Sequence, residues 1–120
     1  MPTRIGQDEI PIRAIMATAD LWQTATITIA TDDDLSDEVD LGDYYGYLNV
    51  ILPELTSADV SLQVSDESGG TFQDLDSATF AAGTGEVNTT FVLGGWRYLK
   101  VKTSASQAAD REILVRGVTF

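Results

Sequence analysis

The residues able to do chemistry in this chain are carboxylates, a handful of cations and a few aromatic rings, because its 120 residues include neither histidine nor cysteine. Nucleophilic triads and metal sites built on imidazole or thiolate are thereby excluded. Paired carboxylates in a glycosidase geometry remain conceivable in type. They need a cleft that grips a sugar, however, and a one-domain chain of this size is not expected to supply one. The expectation is a protein without enzymatic activity, with no catalytic residue, no cofactor and no structural metal.

The densest acidic run is Asp32, Asp33, Asp34, Asp37, Glu38, Asp40 and Asp43. Hard oxygen ligands suit calcium, but the helical calcium-loop pattern fails: with Asp32, Asp34 and Ser36 in its first ligand positions, Asp37 falls on the obligatory glycine. A solvated turn followed by a charged edge strand, whose charges discourage unwanted pairing, is the expected reading. Ser65-Asp-Glu-Ser-Gly-Gly-Thr-Phe72 resembles the Asp-box hairpin of sialidase-like propellers. It occurs once, which excludes a propeller and leaves a hairpin with Gly69 and Gly70 at positive φ and an aromatic closing the core. Trp96, Tyr98, Lys100 and Lys102 share one face of a strand opposite Leu99 and Val101, an arrangement suited to a subunit interface or to stacking on a glycan.

The elements that must carry these groups are strands. Ala25, Ile27 and Ile29 alternate with polar or small residues, as do Leu48, Val50 and Leu52, then Val60, Leu62 and Val64, then Val87, Thr89, Phe91 and Leu93. A weaker strand runs through Leu35, Val39 and Leu41, shorter segments lie near 71–75 and 78–82, and apolar-rich runs cover Leu99 to Val101 and Ile113 to Phe120. Gly- and Asp-rich turn signals between them recur at the rhythm of an antiparallel sandwich. With no helix-period segment of useful length, the fold class is all-β: an antiparallel β-sandwich, jelly-roll-like, of about eight strands over 23–120, preceded by an irregular N-terminal arm over 1–22.

Charge and hydropathy set the partners. The net charge is −12, so a phosphate backbone is repelled and nucleic acid is not an expected ligand. No stretch has the length and apolarity of a bilayer-spanning helix, and the N-terminus lacks the apolar core of a signal peptide. The charge is uneven: residues 1–95 hold only Arg4 and Arg13 against seventeen acids, whereas 96–120 hold Arg97, Lys100, Lys102, Arg111 and Arg116 against Asp110 and Glu112. A basic ribbon and an acidic body of this kind suit contact between copies, and the arm's Ile10, Ile12, Ile15, Met16 and Trp22 are too apolar for a free tail.

The order Leu62-Gln-Val-Ser65, Ser68-Gly-Gly-Thr-Phe-Gln-Asp-Leu75, Gly95-Trp-Arg-Tyr-Leu-Lys-Val-Lys102 and Gln107-Ala-Ala-Asp-Arg111, with Val39-Asp-Leu-Gly42 upstream, resembles small accessory structural proteins of tailed bacteriophages, head decoration or cement proteins and fibre proteins. The resemblance covers roughly residues 36–120 and brings no catalytic residues. It implies a virion component, assembled in the host cytoplasm, that clamps major capsid subunits or other virion proteins as a homo-oligomer, a trimer being favoured. The expected interface is Ile10, Ile12, Ile15, Met16, Trp22, Trp96, Arg97, Tyr98, Lys100, Lys102 and Arg116. The competing expectation is a carbohydrate-binding module on a phage tail or fibre, using Trp96 and the tyrosines.

Overall fold

Alternation sets the strands, and the turns between them set the order. A computed structural model describes residues 22–119, and the arm residues Ile10, Ile12, Ile15 and Met16 lie outside that range. Eight strands are present among the described residues: β1 (Gln23–Ile27), β2 (Val39–Asp40), β3 (Tyr47–Ile51), β4 (Glu54–Ser65), β5 (Gln73–Gly85), β6 (Asn88–Val92), β7 (Tyr98–Thr103) and β8 (Arg111–Val118). They form two four-stranded sheets, sheet A in the order β1-β8-β3-β6 and sheet B in the order β2-β7-β4-β5.

That order has a simple origin. The first four strands pair antiparallel with the last four in reverse: β1 with β8, β2 with β7, β3 with β6, and β4 with β5. The chain is thus one long ribbon folded at the β4–β5 turn, then rolled until β3 meets β8 and β4 meets β7. An eight-stranded antiparallel jelly roll results, the class expected from the sequence.

The core lies between the sheets and is built by every second residue. Ala25, Ile27, Leu48, Val50, Ile113 and Val115 come from sheet A and meet Val60, Leu62, Leu99 and Val101 from sheet B; all ten are buried. Three expectations about elements change in detail. Ile29 leaves the alternation, because the chain turns after Ile27: Thr31 and Asp32 both donate backbone hydrogen bonds to the Thr28 carbonyl, and Ile29 is exposed. Leu35 to Leu41 is paired only at Val39–Asp40 and through a lone bridge from Leu35 to Lys102. The two segments near 71–75 and 78–82 are one strand, β5, whose pairing is broken between Ser61↔Thr79 and Gln63↔Asp74. That bulge disrupts the alternation and makes one strand read as two.

The hairpin over 65–72 forms, with one difference from expectation. Gly69 has φ +70°, but Gly70 does not lie at positive φ; a Cβ on Gly70 would instead crowd the side chains of Glu67 and Ser65. Phe72 does not close the core. It is half-buried on the surface beneath the Lys100 ammonium, 4.8 Å from its ring centre.

Two buried polar side chains stitch loops to strands. Ser36 accepts from the Val101 amide (2.8 Å) and donates to the Asp37 carbonyl (2.8 Å), which fixes the β1–β2 loop on β7. Gln107 acts as a peptide mimic against Thr56: its Oε1 accepts from the Thr56 amide (2.8 Å) and its Nε2 donates to the Thr56 carbonyl (3.1 Å). Arg111 donates to Gln107 Oε1 (3.1 Å) and to Thr56 Oγ1 (3.2 Å), and Asp110 accepts from the Ile29 amide (3.0 Å). The Gln107–Arg111 motif is therefore a latch that holds the β7–β8 loop against β4 and the β1–β2 loop. Replacing Gln107 by alanine leaves both main-chain groups of Thr56 without their partners, and the expected loss of stability is about 2–3 kcal/mol by urea denaturation. A midpoint unchanged from the native chain would mean that the latch does not contribute.

Candidate binding surface

In a sandwich, each sheet has one face in the core and one face outside, and the outer face is ordinarily polar. Sheet B obeys this. Its outward side chains are Asp59, Ser61 and Gln63 on β4, Asp74 and Thr79 on β5, and Tyr98, Lys100 and Lys102 on β7, all paired by the strand register. Sheet A is mixed. Its register aligns four rows on the outer face: Val118, Tyr47 and Val92; then Arg116, Asn49 and Thr90; then Thr24, Leu114, Ile51 and Asn88; then Thr26 and Glu112. Two rows carrying apolar side chains thus flank a polar one, and a second polar row lies beyond them. Val92 is 69% exposed and Ile51 is 38% exposed, while Tyr47, Leu114 and Val118 are half-buried.

The polar row is ordered. Thr90 Oγ1 donates to Asn49 Oδ1 (3.0 Å). The Arg116 guanidinium stacks on the Trp22 ring at 4.5 Å, where the chain enters β1. Arg116 Nε is enclosed and donates to no acceptor among the described residues. An enclosed guanidinium N–H without a partner costs free energy.

The remaining expected interface residues lie elsewhere. Arg97 makes a fork to Asp40, with Nε to Oδ1 at 2.7 Å and its second nitrogen to Oδ2 at 3.1 Å. This pairing holds Asp40 below the ordinary aspartate range, chiefly through the Arg97 hydrogen bond, and raises Arg97 further. Lys102 stands 4.0 Å from Asp74. Trp96 is on the β6–β7 turn, at the rim of a cavity of about 460 Å³ formed where the β5 bulge faces β6, with Leu75, Asp76, Phe80 and Thr89 in its lining. The basic ribbon is thus divided among four places, Arg111 being in the latch with Gln107 and Thr56. Lys100 and Lys102 lie on the outside of sheet B, Arg116 on the outside of sheet A, and Arg97 beside β2.

The acidic run is also divided. Asp32, Asp33 and Asp34 bring carboxylate oxygens within 4.8 Å of one another. Asp34 is raised above the ordinary aspartate value, first by its hydrogen bond with Asp32 and then by burial and repulsion from Asp32 and Asp33. The backbone there is fixed by donors from Thr103 to the Asp34 carbonyl and from Gln107 to the Asp33 carbonyl. Glu38 does something different: it accepts from Ser68 Oγ (2.6 Å) and the Gly69 amide (2.7 Å), tying the approach to β2 onto the β4–β5 hairpin.

The outer face of sheet A was not legible as a surface from the sequence. Ile51, Leu114, Val92 and Val118 are outside the expected interface, although Arg116 is within it. A signal existed: β8 carries apolar residues on both faces, Ile113 and Val115 inward, Leu114 and Val118 outward.

No protein-family model matches the chain, and no curated protein matches it in sequence. Among solved structures it is similar to the SPBc2 prophage-derived protein YomS, with 14% identity, 79% of this chain and 92% of that chain covered, and a TM-score of 0.48. At that identity and score the likeness bears on neither activity nor partner.

The Glu38 contacts give a pH signature. They hold its carboxyl below the ordinary value near 4.5, through Ser68 first and Gly69 second. A depressed carboxylate contributes stability above its unfolded value and loses it as pH falls through the folded one. Glu38→Gln is therefore expected to cost about 0.5–1 kcal/mol at pH 7, a small value because the group is near solvent. The gap to the native chain should close as pH falls below 4.5. A gap of constant size from pH 7 to pH 3 would contradict the assignment.

Proposed function

We propose that this domain is a non-enzymatic structural component of a tailed-phage particle, a decoration or cement protein that binds between major capsid subunits through the outer face of sheet A. The observation that carries the reading is that face, two rows with apolar side chains about an ordered polar one, on a chain of net charge −12 whose other outer sheet face is largely polar. Large apolar side chains grouped on one exposed sheet face are a common feature of interaction sites in soluble proteins. The motif series over 36–120 and the jelly roll, an architecture used by viral shells and by lectins, add a fold-level analogy in the same direction. A trimer at capsid joints would multiply a modest contact by avidity.

A second reading has one specific observation in its favour. Trp96 at the rim of the 460 Å³ cavity, with Asp76 and Thr89 among its lining, combines an aromatic platform with polar groups as a glycan subsite does. Under this reading the domain is a carbohydrate-binding module on a tail or fibre.

Co-sedimentation separates the two. Particles of the parent phage prepared without this protein are expected to capture the purified chain. Ile51→Asp, a charge placed in one of the apolar rows, is expected to weaken capture about tenfold or more. Trp96→Ala should leave capture unchanged. Absence of capture together with retention on a polysaccharide column that Trp96→Ala abolishes would overturn the capsid reading in favour of the glycan one.

A further inference from the structure

We propose that the free edge of β6 pairs with β6 of a second copy of this chain, antiparallel and about a two-fold axis at Thr90, so that two copies of sheet A join into one continuous sheet. The contact uses the edge of sheet A and not its face, and it rests on neither the capsid reading nor the glycan one.

The edge strands of the sandwich are β1 and β6 in sheet A and β2 and β5 in sheet B. Native sheets blunt such edges with charge, short length, bulges or a covering loop. On β1, the Thr26 amide donates to Asp37 Oδ1 (2.9 Å) and its carbonyl accepts from the Asp37 amide (3.0 Å), so the β1–β2 loop covers that edge. β2 is two residues long and carries Asp40. β5 is bulged against β4 and carries Asp74 and Asp76. β6, Asn88-Thr-Thr-Phe-Val92, has none of these devices. It holds no charge and no proline, and its register on β3 is unbroken from Tyr47↔Val92 to Ile51↔Asn88. Beyond it lies open space: Thr89, Thr90, Phe91, Val92 and Leu93 line the cavity of about 460 Å³ between β6 and β5.

The free edge is complementary to itself. In an antiparallel ladder, residues that bond the neighbouring strand alternate with residues whose N–H and C=O point away from it. Val87 accepts from the Leu52 amide and Leu93 donates to the Gly46 carbonyl (2.8 Å each), so the odd-numbered residues face β3. Asn88, Thr90 and Val92 therefore turn their backbone groups outward, with no further strand of the sheet to receive them. When Thr90 stands opposite Thr90 of a second copy, Asn88 stands opposite Val92 at both ends. All three pairs are then of the kind that exchanges two hydrogen bonds. Sliding the copies by two residues loses one of the three.

The same register joins the outer rows like to like. The row Val118, Tyr47 and Val92 of one copy runs on into Asn88, Ile51 and Leu114 of the other, and the row Arg116, Asn49 and Thr90 runs into its own image. Glu86, the charge that precedes the strand, falls opposite Gly94 and away from its own copy. Self-association of a chain with net charge −12 needs a neutral strip, and β6 supplies one. Ladder and rows that match themselves in one register favour a second copy over an unrelated extended segment.

The absence of cysteine from the chain makes the test clean. In the full-length chain, Thr90→Cys places a thiol at the axis, where opposed α-carbons stand about 5.5 Å apart, within reach of a disulfide. Asn88→Cys places its two thiols on either side of the axis, about 13 Å apart along the strands. Under mild oxidation Thr90→Cys is expected to form a linked dimer about tenfold faster than Asn88→Cys, because pairing raises the local concentration. A mixture of Asn88→Cys with Val92→Cys should give the mixed dimer ahead of either homodimer, which checks the register without altering Thr90. Sedimentation of the native chain should show a concentration-dependent dimer. Thr90→Lys, which sets like charges opposite each other, should weaken that dimer about threefold with an unchanged circular dichroism spectrum. A native chain that stays monomeric at every concentration would overturn the proposal. So would a dimer in which Thr90→Cys and Asn88→Cys link at equal rates.

Discussion

The antiparallel pairing of the chain's first half with its second, in reverse order, is the constraint from which the rest of the structure follows. Once β4 and β5 form their hairpin, β3 is brought to β6, β2 to β7 and β1 to β8, and rolling this ribbon fixes both sheet orders. Each strand then has one side in the core, filled by Ile27, Leu48, Val60, Leu62, Leu99, Val101 and Ile113. Long-range pairing of this kind leaves the loops at the ends of the roll without partners of their own. The polar latches answer that need: Ser36 on Val101 and Gln107 on Thr56 give buried backbone groups their hydrogen bonds without another strand. The same roll produces two outer faces, and the one on sheet A carries the exposed Ile51 and Val92.

Much of the fold could be read before the structure was known, for a physical reason. Where one side of a strand is buried and the other wet, the residue types must alternate, as they do in Val60-Ser-Leu-Gln-Val64, and the strand is visible in the sequence. The reading weakens where that condition fails. The β5 bulge interrupts alternation, so one strand passes for two. β8 carries Leu114 and Val118 outside as well as Ile113 and Val115 inside, so its two faces are not distinguished by type. Contacts across large separations leave no local pattern at all: Gln107 and Thr56 are 51 residues apart, and Arg97 and Asp40 are 57 apart. The cations of the last twenty-five residues looked like one ribbon because they are close in sequence, yet β7 and β8 belong to different sheets and point them to different surfaces.

That separation changes how the protein's polarity is understood. An exposed arginine already forked onto an aspartate contributes little to stability and offers little to a partner, and Arg97 is so placed. Arg116 is the opposite case: its guanidinium stacks on Trp22, it lies in the polar row between two rows with apolar side chains, and its Nε meets no acceptor among the described residues.

The central claim is that the outer face of sheet A is covered when the protein is at work. Hydroxyl-radical footprinting of Ile51, Val92 and Leu114, compared between dilute protein and the assembled state, measures this side chain by side chain. Strong protection of these three residues in the assembly, with Lys100 and Lys102 on sheet B labelled equally in both states, is the expected result. Labelling of Ile51, Val92 and Leu114 that does not change on assembly would contradict the account.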